Sequence, residues 1–381
     1  MHRDSFFPMS LIKYEKFYNF IILKMSKLLV SLANLGKGGA ERVLSILSEP
    51  LANNFDEVQY VLWEGGEASY PIDSRVRIVS LQELSKREGR LKLINTFRRY
   101  VIKEQPDLIL SFLTPYNMLV LLSTIGLKQK VVVCERTDPQ RLLAGGRPML
   151  KVRDLIYRKA KGIFTQTEYA KSCYKGVLGK KTTVIYNPVM MDEHQVGGAL
   201  KTEKDKTLVT VGRLEPVKNQ ALMIEAFAIF SKTHPDYRLV IYGDGPLRET
   251  LEEKSQQLGI KDKVLFAGMC DHVWDKIVTA DCFLLSSNAE GMSNAMIEAL
   301  CLGLPVISTK VAGATDMIKD GRNGYLVDIN DVSAMAERMN QIVDNPDLRQ
   351  SMSTEAVKAY EILRADKICA QWVECLKNAA K

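Results

Sequence analysis

Three stretches of the 381-residue chain carry residues whose types and spacing could do chemistry. The first is Asn34-Leu35-Gly36-Lys37-Gly38-Gly39-Ala40-Glu41-Arg42, with three glycines between an apolar run and a helix-period segment. Gly38 and Gly39 let the backbone approach a ligand and offer N–H groups from a helix N-terminus, which suits a phosphate or carboxylate. A tight strand-to-helix turn would use the same residues. The spacing is neither G-x-G-x-x-G nor a Walker A loop, since no Gly-Lys-Ser/Thr follows. The second stretch is Gly212-Arg213-Leu214-Glu215-Pro216-Val217-Lys218-Asn219. Arg213 offers a planar fork for phosphate oxygens and Lys218 a point charge, so the pair could neutralise a diphosphate or could simply be two solvated cations. The third runs from Ser287 to Ala299 and holds Glu290, Gly291, Met292, Ser293, Asn294 and Glu298. Ser293 reads as an N-cap, with the N–H groups of Asn294, Ala295 and Met296 presented to an anion at the favourable end of a helix dipole. Glu290 and Glu298 could then hold sugar hydroxyls on either side of one phosphate. Glu298 could instead serve as a capping partner, yet it lies among Met296, Ile297, Ala299 and Leu300, where an unpartnered carboxylate is costly.

Each stretch needs an element to hold it, and the chain supplies them by alternation. Short apolar runs at Lys27–Ala33, Val58–Trp63, Val76–Leu81, Leu108–Phe112, Val131–Cys134, Gly162–Thr165 and Thr183–Tyr186 read as strands. Helix-period segments at Ala40–Asn53, Leu91–Lys103, Tyr116–Ile125 and Met149–Ala160 lie between them. A second series follows: strands at Thr207–Val211, Arg238–Tyr242, Val264–Phe266, Cys282–Leu285, Pro305–Ser308 and Tyr325–Val327, with helices at Asn219–Lys232, Pro246–Leu258, Ser293–Cys301 and Val332–Val343. Residues from Pro346 to the end read as two helices broken near Arg364. Such alternation predicts parallel sheets covered by helices on both faces. All three stretches then fall at carboxyl ends of strands, where ligands of these sheets bind.

The polar, glycine-containing residues 191–206 divide a first lobe, 25–190, from a second, 207–360, with a C-terminal helix at 361–381 that could cross back to the first lobe. Residues 1–24 read as an extension before Met25; they lack the small-residue cleavage site of a signal peptide. An interfacial helix is the alternative for that stretch.

At 46% hydrophobic and 25% charged residues, the composition is that of a globular protein. The seven cysteines form no CxxC pair, and only four histidines occur, which argues against a disulfide scaffold or a zinc site and for a reducing cytosol. His194, His234 and His272 sit in loop-like contexts and receive no chemistry; Trp63, Trp274 and Trp372 read as packing residues. No apolar run approaches the ~18 residues of a membrane span. The net charge of +7 is uneven: residues 1–200 hold 30 Lys+Arg against 19 Asp+Glu, a balance of +11, and the remainder is −4. A basic lobe fits an anionic surface or substrate, and no nucleic-acid-reading motif accompanies it.

Taken together, E-x7-E from Glu290 to Glu298, G-G-A-E from Gly38, G-R-L-x-x-x-K-N from Gly212, Ile241-Tyr242-Gly243-Asp244-Gly245-Pro246-Leu247 and Gly303-Leu304-Pro305-Val306-Ile307 resemble family 4 of the retaining glycosyltransferases, from about residue 25 to the C-terminus. The resemblance implies a GT-B fold, two Rossmann-like, doubly wound α/β lobes facing across a cleft, with the nucleotide-sugar donor held mainly by the second and no metal or other cofactor required. It implies that Arg213 and Lys218 stabilise the leaving diphosphate, Glu290 contacts the transferred sugar, Glu298 the ribose, and Gly38 and Gly39 the diphosphate or the acceptor. Gly212, Gly291, Met292, Ser293 and Asn294 complete the implied donor site, and Ala267-Gly268-Met269 occupies the place of the nucleobase contact. Where many relatives carry histidine, this chain has Val133-Cys134-Glu135-Arg136-Thr137-Asp138-Pro139. Arg136 is always protonated and cannot be a general base, so it would act through charge and position, or form a structural ion pair with Glu135 or Asp138.

The segment Lys86–Lys103 adds seven cations beside Leu91, Ile94, Phe97 (or Arg98) and Val101 at helical spacing. Such a helix either packs on the core with a solvated basic face or lies on an anionic bilayer, with Arg98, Arg99 and Lys103 toward lipid or carrier phosphate. The expected activity is transfer of a sugar from a UDP-sugar to a lipid-linked, undecaprenyl-diphosphate or polysaccharide acceptor in bacterial surface-glycan assembly (capsule, exopolysaccharide or O-antigen), by a cytoplasmic protein peripheral to the inner face of the plasma membrane. The alternatives are a UDP-sugar epimerase on the same fold and a non-catalytic sugar-nucleotide or glycan-binding partner.

Overall fold

The computed structural model describes residues 27–85, 90–140 and 146–381, so the reading of residues 1–24 as an extension and the basic start of the Lys86–Lys103 segment lie outside the described residues. In the first lobe, strands β1 (Lys27–Leu32), β2 (Glu57–Leu62), β3 (Val76–Ser80), β4 (Leu108–Phe112), β5 (Lys130–Cys134), β6 (Gly162–Thr165) and β7 (Thr182–Val184) alternate with helices. These are α1 (Gly39–Asn54), α2 (Leu81–Leu84), α3 (Arg90–Glu104), α4 (Thr114–Ser123), α5 (Gly146–Tyr157), α6 (Glu168–Ser172) and α7 (Gly176–Lys180). The second lobe has strands β8 (Thr207–Val211), β9 (Arg238–Tyr242), β10 (Val264–Gly268), β11 (Cys282–Leu285), β12 (Val306–Thr309) and β13 (Gly324–Val327). Its helices are α8 (Gln220–Phe230), α9 (Arg248–Gln257), α10 (Val273–Ile277), α11 (Asn294–Leu302), α12 (Ala312–Met317), α13 (Val332–Val343), α14 (Pro346–Val357), α15 (Tyr360–Leu363) and α16 (Ala365–Ala380).

Both sheets are parallel and doubly wound, in the orders β3-β2-β1-β4-β5-β6-β7 and β10-β9-β8-β11-β12-β13. Strands β1, β4, β8 and β11 are apolar along nearly their whole length because helices cover both faces of each sheet. The strand order reverses between β1 and β4 and again between β8 and β11, which opens a crevice at each carboxyl edge. The two edges face one another, and this is the GT-B arrangement.

The lobes are joined twice. Residues 185–206 carry the chain from β7 to β8, and α16 returns to the first lobe. Trp372 of α16 is fully buried there, stacked on Phe112 at 5.9 Å and edge-on to Phe164 at 5.4 Å. The two crossings meet where the Val189 N–H donates to the Leu363 carbonyl (2.8 Å) and the Ala365 N–H to the Val189 carbonyl (3.1 Å), beside the break at Arg364. A further break at Lys358 and Ala359 divides the stretch before Arg364, so the C-terminal region has three helices where the sequence suggested two.

Helix α3 packs on the core, with a phase different from the one the spacing suggested. Leu93, Phe97, Tyr100 and Val101 are buried and Ile94 only half-buried, because Leu93 and Tyr100 take the inward positions. Arg98 turns its guanidinium to the carbonyls of Ser123 (2.8 Å) and Ile125 (2.7 Å), satisfying acceptors at and just past the end of α4. Arg99 and Lys103 are exposed.

Candidate active site

In the second lobe the site grows from two strand ends beside the reversal. After β8 the chain makes a turn at Pro216–Lys218 and passes Asn219 in the left-handed region (φ 47°) before α8 begins. After β11 the loop 286–293 leads into α11. The two loops are stitched together: Ser286 Oγ donates to the Lys218 carbonyl at 3.0 Å, the Asn288 N–H to the Val217 carbonyl at 2.8 Å, and Asn219 Nδ2 to Asn288 Oδ1 at 3.1 Å. This stitching brings Lys218 Nζ onto Glu290 Oε1, which also accepts from Ser287 Oγ at 2.8 Å. Arg213 lies on the same loop but is exposed and paired with Glu215 at 2.7 Å, so the two cations of the motif are held apart.

Gly212 lies under Gly243, whose φ is 132°; a Cβ on Gly243 would stand 2.0 Å from the Gly212 carbonyl oxygen, so only glycine fits the crossing. Gly268 ends β10 with φ 72° and accepts the Gly243 N–H at 2.7 Å, and the next residue, Met269, is 63% exposed toward solvent.

Ser293 caps α11 and its Oγ accepts the Met296 N–H at 3.4 Å. That N–H is therefore already satisfied, and of the three expected at an anion site only those of Asn294 and Ala295 remain outside this cap. Met292 is buried beneath the loop. Glu298, one turn on, is buried and finds its partner in the other lobe: Arg42 Nη1 lies 2.7 Å from Oε1, and Trp274 Nε1 donates to Oε2 at 2.8 Å. Arg42 also sits 5.8 Å from the Trp274 ring. Burial nevertheless raises the Glu298 carboxyl above its ordinary value, with Arg42 and the Trp274 hydrogen bond opposing. Trp274 is thus a site residue and not packing alone.

The first lobe contributes α1 and the loop after β5. Gly38 is the N-cap of α1 with no side-chain hydrogen bond, and Glu41 fills the space a Cβ on Gly38 would need. Burial raises the Glu41 carboxyl, with the Arg136 charge opposing. Gly39 faces the second lobe, with Asn294 Nδ2 3.5 Å from where its Cβ would lie.

Glu135 and Arg136 are both buried, and they form no pair with each other or with Asp138. Glu135 accepts from Thr114 Oγ1 (2.7 Å), Asn117 Nδ2 (3.1 Å) and the Tyr157 hydroxyl. Arg136 uses one nitrogen, Nη2, to donate to Asn187 Oδ1 at 2.6 Å, and its Nε and Nη1 have no hydrogen-bond partner. Asn187 in turn donates to Asn294 Oδ1 at 2.6 Å and to the Met292 carbonyl at 3.3 Å, linking Arg136 to the start of α11. Gln166 Nε2 donates to the Arg136 carbonyl at 2.6 Å and lies so near Gly291 that no Cβ would fit there. The structure therefore gathers Gly38, Gly39, Arg136, Lys218, Glu290, Gly291, Ser293, Asn294 and Glu298 at the facing edges. It adds Arg42, Asn187, Gln166 and Trp274, which the sequence reading passed over; of these only Arg42, one turn after the glycine pair, carried a signal. No cluster with metal-binding geometry occurs among the described residues.

Chemically, the arrangement offers a buried cation with two unused donors, a cation–carboxylate pair and two helix N-termini around one cleft. Residues 37–193 match the family described as Glycosyltransferase Family 4, and residues 192–359 match Glycosyl transferases group 1. The chain is 27% identical over 368 residues to the Campylobacter jejuni GalNAc-alpha-(1->4)-GalNAc-alpha-(1->3)-diNAcBac-PP-undecaprenol alpha-1,4-N-acetyl-D-galactosaminyltransferase, covering 93% of this chain and 100% of that protein. It is 25% identical to the amylovoran biosynthesis glycosyltransferase AmsD of Erwinia amylovora, over 92% of this chain and 100% of that one. Among solved structures, Anabaena Alr3699/HepE in complex with UDP superposes with a TM-score of 0.75 at 18% identity, covering 92% of this chain and 100% of that one. At that identity the superposition speaks for the fold alone.

Proposed function

The chain belongs to the family 4 glycosyltransferases, and we propose that it moves a sugar from a UDP-sugar to a lipid-linked saccharide in surface-glycan assembly, with retention at the anomeric carbon and without a metal. The observation that carries this reading is the Lys218–Glu290 pair held at two strand ends beside the N-terminus of α11. Lys218, with Arg213 swung from Glu215, would neutralise the departing diphosphate, and that charge is what an oxocarbenium-like transition state most needs stabilised. Glu290, released from Lys218, would hold hydroxyls of the transferred sugar. The bond between the anomeric carbon and the diphosphate oxygen breaks, the acceptor hydroxyl oxygen bonds to the same face of that carbon, and its proton passes to the leaving phosphate. Two cations can take the place of a divalent metal at the diphosphate. Glu298 would meet the ribose, and the surface around Met269 the base.

The lipid-linked acceptor is supported by the Campylobacter relative, whose name specifies an undecaprenyl-diphosphate saccharide; the Anabaena neighbour crystallised with UDP shares the fold. Such an acceptor places the protein peripherally at a membrane. No helix among the described residues is long and apolar enough to cross one.

The test follows UDP release from UDP-Glc, UDP-Gal, UDP-GlcNAc and UDP-GalNAc, with and without lipid-linked acceptor and with EDTA, and assigns the product anomer by NMR. Acceptor-dependent release from one donor, unchanged by EDTA and giving the donor's own anomeric configuration, is the expected result. Inversion would remove the front-face step, loss with EDTA the metal-free one, and conversion of free UDP-sugar without acceptor would mean an epimerase.

A further inference from the structure

We propose that the outer face of α4 and α5 in the first lobe is a docking surface for an anionic lipid bilayer. The inference rests on the lipid-linked acceptor proposed above and assigns the membrane contact to a surface that the basic segment Lys86–Lys103 does not include.

Helix α5 is amphipathic with its apolar stripe facing out. Met149, Val152 and Leu155 recur at spacings of three, and Val152 and Leu155 are 45% and 63% exposed. The opposite side of α5 is the one that packs, since Arg153 and Tyr157 are almost wholly buried. Helix α4 lies beside α5 and adds Leu122, with Ile125 just past its end, both more than 40% exposed. Large aliphatic side chains projecting from two neighbouring helices cost free energy in water and are recovered at an apolar partner.

The charges around this stripe select the partner. Residues 114–161 hold ten Lys+Arg against three Asp+Glu, and of the ten Arg136 and Arg153 are buried. Lys128, Lys151, Arg158, Lys159 and Lys161 are exposed. Of the three carboxylates, Glu135 is buried, and Asp154 is held by Arg153 at 2.7 Å. An apolar stripe flanked by cations fits the interface of an anionic bilayer, with the side chains in the acyl boundary and the ammonium groups among headgroup phosphates. A nucleic acid would use the cations and leave the aliphatic stripe unexplained. Position agrees: α4 and α5 both begin beyond the carboxyl ends of β4 and β5, so the face starts at the mouth of the cleft and runs away from it. A carrier anchored in a bilayer under this face would present its saccharide to that mouth.

The experiment sediments the full chain with vesicles of phosphatidylcholine alone and of phosphatidylcholine with phosphatidylglycerol, for wild type, Val152→Glu/Leu155→Glu and Lys151→Glu/Arg158→Glu. Thermal unfolding and transfer to a water-soluble acceptor serve as controls. We expect wild type to bind the anionic vesicles in a salt-sensitive way. Both double variants should lose at least tenfold in partitioning while unfolding as wild type does. Wild-type partitioning by the Val152→Glu/Leu155→Glu chain overturns the proposal. So does absence of wild-type binding to the anionic vesicles, or binding to duplex DNA without binding to vesicles. A chain that sediments as a dimer until Val152 and Leu155 are changed, and never binds vesicles, would show that a second copy covers the face and overturns it too. If transfer fails for every acceptor while vesicle binding behaves as expected, the acceptor reading falls and the docking surface stands.

Discussion

The two lobes share a strand order and a ligand edge, yet they treat the charges at that edge in opposite ways. In the second lobe each charged site residue already has an opposite charge: Lys218 has Glu290, Arg213 has Glu215, and Glu298 has Arg42. In the first lobe Arg136 is buried with two of its three nitrogens unpartnered, while the neighbouring Glu135 is fully engaged with neutral donors. An ion pair at a site can be exchanged for substrate at modest cost, because the cation leaves a carboxylate for phosphate while the carboxylate leaves the cation for donating hydroxyls. Arg136 has only the Asn187 amide and the Phe112 ring, 6.0 Å away, to hold it, and an under-partnered buried cation is a standing cost to the fold that a ligand can relieve. The second lobe thus holds its charges in reserve, and the first holds an unmet demand.

The largest effect should come from breaking the reserve. Lys218→Ala should lower transfer by about 10²–10³-fold, the size expected for removing a donor to developing leaving-group charge. Lys218→Arg should restore part of it, since the charge returns on a different stem. Steady-state UDP release at saturating acceptor reads this out, and a variant within twofold of wild type would remove Lys218 from the mechanism.

Arg136→Met sharpens the contrast, because rate and stability should move apart. Losing charge-assisted hydrogen bonds worth about 1.5–3 kcal/mol predicts a fall in transfer of about 10–100-fold. Removing an under-partnered buried charge in favour of an apolar chain of similar length should leave the unfolding temperature unchanged or higher, even after Asn187 Oδ1 loses its donor. A variant that melts several degrees lower and transfers normally would make Arg136 a structural clamp. Tyr157→Phe tests the other side of the lobe: it deprives the buried Glu135 carboxylate of one donor and should cost about 1–3 kcal/mol in denaturant unfolding. Transfer should fall little, since Asn117 and Thr114 still hold the loop.

How much could be read in advance follows the same division. Strands buried on both faces appear as apolar runs, and eleven of the thirteen strands lie within one residue of the runs seen in the sequence; β7 ends two residues earlier than its run and β10 two residues later. The second-lobe cluster was visible because Ser287, Glu290, Ser293 and Glu298 fall within one loop and helix turn, and the glycine-flanked Arg213 and Lys218 within another. The first-lobe network was not. Glu135 takes its partners from Thr114 and Asn117 on α4 and Tyr157 on α5, each about twenty residues away, and nothing local marks any of them. Trp274 read as packing because an indole in a short helix looks alike whether or not its N–H meets a carboxylate. In α3 the inward phase was set by Leu93 and Tyr100, whose hydroxyl reaches Gln59 on β2 at 2.6 Å, a contact that spacing alone cannot reveal.

The smallest effect concerns an ion pair that joins the lobes, Arg42 with Glu298. Glu298 is held by Arg42 and Trp274, yet burial still raises its carboxyl above the ordinary 4.5. The folded protein therefore binds this proton more readily than the unfolded chain does. Across the interval from the unfolded value up to the raised folded one, the residue's contribution to stability falls as pH rises, and it is most favourable in acid. Glu298→Gln should remove that slope, so the stability of wild type relative to the variant should decline from acid toward neutral pH. The Arg42 pair works against this trend, because it exists only while Glu298 is ionised. Arg42→Ala should therefore destabilise the protein at neutral pH by about 1 kcal/mol and have almost no effect in the Glu298→Gln background. A double-mutant cycle at two pH values measures both terms. If Arg42→Ala costs the same in either background, Arg42 acts on Trp274 or on solvent, and the lobes are coupled through Asn187 instead. That outcome would move the joint from the second lobe's reserve of paired charges to the first lobe's unpaired one.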